Sequence, residues 1–107
     1  MKAWLILFVA GLFETAWAVG MKYSEGFTKF WTSVFTLVCI LISMVLLSIS
    51  LKWIPLGTAY AVWTGIGAVG TAILGIILFG ESKEFIRLFF IFLIIAGLVG
   101  LRIYSTN

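Results

Sequence analysis

The sequence predicts an all-α membrane protein with four transmembrane helices per protomer. Three observations lead there. Hydrophobic residues make up 64% of the 107-residue chain. Its charged residues gather in short clusters between apolar runs. Four of those runs approach the roughly 20 residues that a helix needs to cross a bilayer. A soluble domain of this length would need far more polar surface to cover its core. The runs cover residues 3–21, 31–51, 56–79 and 85–101, so residues 1–107 read as one four-helix transmembrane domain. The intervening segments 22–30, 52–55 and 80–84 are too short for a separate domain, and tight connections of this kind favour an up-and-down bundle.

The first run holds Glu14, the only acidic residue inside any of the four. A carboxylate at bilayer depth is costly and usually faces a cavity or a partner, which makes Glu14 a candidate proton- and cation-binding residue. Positions three and four away on a helix share its face: Ala10, Gly11, Trp17 and Ala18. Small residues beside a tryptophan suggest open space and an indole donor next to the acid. Lys2, the apolar run and Ala16-Trp17-Ala18 imitate a signal peptide with its cleavage site. Glu14 interrupts that run, however, and a retained helix is the expectation.

The second run contains Cys39, which reads as a small buried hydrophobe. Ser43 lies midway along it, either back-bonded to its own helix or turned to a pocket.

In the third run, Tyr60, Trp63, Thr64, Gly67 and Thr71 fall on one face, beside a small-residue ridge of Gly57, Ala61 and Gly65. Polar-tipped aromatics deep in a bilayer want hydrogen-bond partners, and a carboxylate across the bundle would supply one. Residues Gly65-Ile66-Gly67-Ala68-Val69-Gly70 match a dinucleotide-binding fingerprint literally. That fingerprint requires a strand–turn–helix unit, which an apolar helical run excludes. These glycines instead suit a helix that thins or bends.

The fourth run is the shortest and is flanked by Arg87 and Arg102, both able to snorkel towards the interface. Ile86, Phe90, Leu93, Gly97 and Gly100 recur at four-three-four-three spacing, a stripe that packs against a partner helix. Its glycines allow close approach. Spacing leaves open whether that partner lies in the same protomer or another.

Charge limits both function and orientation. A net charge of +3, with its positive members at helix ends, offers no basic face to a nucleic acid. With histidine and aspartate absent, no metal site, cofactor or catalytic constellation is predicted, and the chain does not read as an enzyme. Lys2, Lys52 and Arg102 fall on one side of the bilayer, against Lys22, Lys29, Lys83 and Arg87 on the other. Such near balance gives no firm orientation, and it leaves open either one topology or insertion both ways with antiparallel pairing. Four short helices enclose little space, which favours an oligomer.

These parts suggest a mechanism. A buried carboxylate needs a counter-charge, and a proton and a cation would compete for it. A bundle that switches sides only when occupied then becomes a proton/cation antiporter. Aromatic walls favour cations, and a planar guanidinium can donate two parallel hydrogen bonds to a carboxylate.

At this point the chain resembles the small multidrug resistance transporters over essentially its whole length. The matching stretches are the first helix with Glu14, then Lys22-Tyr23-Ser24-Glu25-Gly26-Phe27-Thr28, then Ile54-Pro55-Leu56-Gly57-Thr58-Ala59-Tyr60-Ala61-Val62-Trp63-Thr64-Gly65-Ile66-Gly67. The pair Trp17-Ala18 after the acid, and Gly80-Glu81-Ser82 later, are similar to the family's guanidinium-exporting branch. The resemblance implies an antiparallel, dual-topology homodimer in the bacterial inner membrane, embedded in lipid and exchanging guanidinium for protons at a shared Glu14 site. It implies that Trp17, Ser43 and Trp63 orient the carboxylate and that Tyr60 lines or gates the pathway; Gly11, on the face of Glu14, is a further candidate pocket-lining residue. It also implies that the fourth helix supplies the dimer contact, for which Leu93, Gly97 and Gly100 of the stripe are the candidates. Three positions depart from the pattern: Arg102 stands in place of a lysine, Phe90 where drug exporters often carry glycine, and Thr15 where an apolar residue is usual.

Two other readings remain. A promiscuous exporter of quaternary ammonium ions would use the same aromatic walls. A non-transporting assembly protein, or one half of an obligate heteromer, would need no cation at all.

Overall fold

The computed structural model describes residues 2–104 and holds four α-helices among them: α1 (Lys2–Tyr23), α2 (Phe30–Ser50), α3 (Leu56–Phe79) and α4 (Phe85–Tyr104). Each is long and apolar enough to cross a membrane. The boundaries follow local chemistry. Pro55 stands at the N-terminus of α3, where the absence of an N–H costs nothing. At the other end Gly80 takes φ 65°, the left-handed conformation that closes many helices. The α1–α2 connection turns through three left-handed residues, Glu25, Gly26 and Phe27. The wholly buried Ser24 ties it down, donating to the Met21 carbonyl at 2.8 Å and accepting from the Phe27 N–H at 3.0 Å. At the last helix, the apolar run ends at Leu101, yet α4 continues to Tyr104. Arg102 does not stop it, since arginine is a good helix former; its guanidinium lies over the Trp4 ring, 4.8 Å from the centroid.

The helices pack as a row more than as a closed four-helix bundle. Helix α1 lies between α2 and α3, while α4 leans on α3 alone as far as the backbones approach. The protomer is accordingly flat, 43 × 35 × 17 Å along its principal axes. Its core is built around α1, where Ala3, Trp4, Leu7 and Ala10 meet Leu47, Ile54, Ala59, Val62 and Trp63. Small residues set the close crossings. A Cβ at Gly11 would fall 2.6 Å from Ile66, and one at Gly65 would fall 2.5 Å from Leu98. No residue of α4 is buried, and Cβ atoms on Gly97 and Gly100 would meet open space. The fourth-helix stripe is therefore left largely uncovered in the protomer.

Candidate ion-binding site

Glu14 sits where α1 crosses α3, facing the backbone of Gly67. A Cβ on Gly67 would fall 2.5 Å from the Glu14 carboxyl carbon and 2.8 Å from its Cγ, so the acid occupies the space that a side chain would take. Glu14 Oε1 is buried without a hydrogen-bond partner among the described residues, and so is the indole Nε1 of Trp17. One helical turn thus carries an unsatisfied acceptor and an unsatisfied donor. Buried polar groups are nearly always paired, and leaving one alone costs about 1–3 kcal/mol, more when it is charged. A bare anion here would be strongly disfavoured. The group is suited to hold a proton or a cation with N–H donors.

A second polar chain lies directly beneath. Trp63 Nε1 donates to Ser43 Oγ at 2.9 Å, and the Ser43 hydroxyl donates to the Ala10 carbonyl at 2.8 Å. This relay joins α3, α2 and α1 through wholly buried atoms. It ends one turn below Glu14, on the carbonyl that takes the Glu14 backbone N–H in a regular helix. Ser43 and Trp63 therefore satisfy each other rather than bonding to the carboxylate in this protomer, and their effect on Glu14 runs through the position of the α1 backbone. The Tyr60 ring packs on Trp63 with centroids 5.5 Å apart, and Tyr60 is more than half exposed.

Two residues differ from the sequence expectation. Gly11 lies against Ile66, so it brings α1 and α3 together instead of opening space beside the acid. Thr15 has a structural role that no spacing rule revealed. Its hydroxyl is shared between the Gly11 carbonyl at 3.3 Å and the Gly67 carbonyl at 3.4 Å, and it packs on Gly70. Thr15 thus fastens α1 to α3 at the residue that seats Glu14. The only signal in sequence was a polar residue adjacent to the buried acid. Cys39 is buried and free. Among the described residues no cluster of metal-ligating side chains occurs.

Four spanning helices, with a half-buried acid whose Oε1 has no partner among the described residues where α1 crosses α3, define a small multi-pass membrane protein of the kind that carries ions or solutes. Comparison with known proteins narrows the class. The sequence model of the family described as "Small Multidrug Resistance protein" matches residues 2–94. The chain is 54% identical over 103 residues to a protein of Proteus vulgaris named "Guanidinium exporter", covering 96% of this chain and 99% of that one. Proteins of the same name from Yersinia pseudotuberculosis and Salmonella typhimurium are 55% and 54% identical. The former match covers 96% of this chain and 99% of the relative; the latter covers 94% and 96%. The chain belongs to the small multidrug resistance family and is a multi-pass protein of the bacterial inner membrane.

Proposed function

We propose that the protein exports guanidinium in exchange for protons, with Glu14 holding each in turn. The observation that carries this reading is Glu14 Oε1, buried without a partner among the described residues in the bilayer-spanning part of α1, beside a tryptophan N–H that also lacks one. A guanidinium offers a planar array of N–H donors that fits a carboxylate bidentately, and a proton neutralises the same group. Similarity to proteins named guanidinium exporters supports this choice of cation.

The working unit is an antiparallel homodimer inserted both ways. Two features favour it. Loop charges are nearly balanced, which weakens any orientation bias. In addition, Leu93, Gly97 and Gly100 lie on an exposed face of α4, where Cβ atoms on the two glycines would meet open space. A flat row of helices becomes an enclosed chamber only when a second copy covers it, and each copy then contributes one Glu14.

The test is transport. Protein reconstituted in liposomes under an imposed pH gradient should accumulate guanidinium against its own gradient, and Glu14→Gln should abolish this. Tetraalkylammonium ions that outcompete guanidinium would point to the promiscuous-exporter reading. Movement of neither cation would leave the structural reading.

A further inference from the structure

A cavity of about 400 Å³ opens between α1 and α3 at the end where α4 begins. Ala18 and Thr71 line its inner end, and Lys22, Phe79, Glu81 and Arg87 surround its mouth. Ala18 and Thr71 each lie four residues, about 6 Å of helix rise, beyond Glu14 and Gly67 respectively. The cavity therefore reaches from the loop side to within one turn of the buried acid.

The chain places a carboxylate at that mouth with some care. The left-handed Gly80 reverses the backbone, and the Glu81 N–H returns to the Gly75 carbonyl at 3.2 Å. This closure lays the Glu81 side chain back over Gly75, where a Cβ would fall 2.7 Å from the carboxyl carbon. Glu81 already holds a guanidinium, that of Arg87, whose Nη2 donates to Oε1 at 2.8 Å while Nη1 donates to the Ser82 carbonyl at 2.6 Å. The two side chains are 31% and 47% exposed for Arg87 and Glu81. A pair this exposed to solvent is weakly held, so a guanidinium from solution can compete with Arg87 for the carboxylate. Lys22, its Nζ 5.6 Å from the Phe79 ring centroid, adds a further positive charge. A third cation is thus disfavoured unless Arg87 first gives up its carboxylate.

We propose that Glu81 is an outer binding station for guanidinium, reached by displacing Arg87, from which the ion passes Ala18 and Thr71 to Glu14. This rests on the transport function proposed above. If two antiparallel copies form the transporter, each side of the membrane receives one such station.

The test separates a station from a simple loop tie by the sign of two substitutions. Glu81→Gln removes the acceptor, whereas Arg87→Gln removes the competitor and leaves Glu81 free. In proteoliposomes, Glu81→Gln should raise the KM for guanidinium at least fivefold with kcat within twofold, and Glu81→Asp should recover most of the loss. Arg87→Gln should lower KM twofold or more. A loop tie predicts that both substitutions break the same pair and act in the same direction, and that result, or an unchanged KM in either variant, overturns the station. Should Glu81→Gln fail to fold, Arg87→Gln decides alone: a lowered KM supports the proposal and a raised or unchanged one overturns it. Wild-type protein that moves no guanidinium would overturn the transport reading and the station with it. Transport by the wild type with same-sign variants sinks the station alone.

Discussion

The Glu14 carboxyl group rests on the backbone of Gly67, its carboxyl carbon 2.5 Å from where a Cβ would stand. A glycine on α3 thereby makes room for an acid on α1, and the two residues act as a single feature of the site. Gly67→Ala should push the carboxylate off this seat or force the helices apart. Guanidinium transport is expected to fall at least tenfold, while helical content measured by circular dichroism stays near wild type. An alanine variant with normal transport would show that the seat is immaterial.

Thr15 should prove structural. Thr15→Val keeps the shape and removes the hydroxyl shared between Gly11 and Gly67. A single interhelical hydrogen bond in a membrane protein is worth about 0.6 kcal/mol on average. The thermal unfolding midpoint in detergent should drop by a few degrees, with the KM for guanidinium within twofold of wild type.

The Trp63–Ser43–Ala10 relay makes a sharper prediction. Ser43→Ala leaves the buried Trp63 Nε1 without its acceptor, a loss of about 1–3 kcal/mol. Trp63→Phe removes the donor as well, so the double variant should cost little more than Trp63→Phe alone. Chemical denaturation of all three variants checks this; additive losses would mean that the two residues act independently.

On α4, Gly97 and Gly100 face open space in the protomer. Replacing both with leucine should leave the protomer's helicity and detergent solubility intact while lowering the dimer fraction at least fivefold, as read by cross-linking in lipid. Unchanged dimerisation would place the subunit contact elsewhere.

The four spans were legible because hydropathy reports directly on bilayer crossing, and Glu14 because an acid in an apolar run is conspicuous. Arg102 shows where that signal fails: it ended the apolar run, yet the helix passes through it because a charge breaks hydropathy without breaking helix propensity. Thr15 and Gly67 were invisible as a pair, since the register between α1 and α3 depends on interlocking surfaces rather than on either helix's own period. The same holds for Ser43, whose choice of the Ala10 carbonyl over the acid is fixed by distances between helices. The row-like packing was equally hidden. Every helix is apolar around most of its girth, so composition does not say which faces meet protein and which meet lipid or a second copy.

The central claim is that one carboxylate exchanges a proton for guanidinium, and proton release on binding tests it most directly. Detergent-solubilised dimer in weakly buffered solution, at a pH where transport is active, should release protons when guanidinium chloride is added, saturating with the same midpoint as transport. Glu14→Gln should release none, and raising the proton concentration should weaken guanidinium binding in the wild type. Guanidinium binding with no proton release at any pH, or undiminished release from Glu14→Gln, would contradict the account.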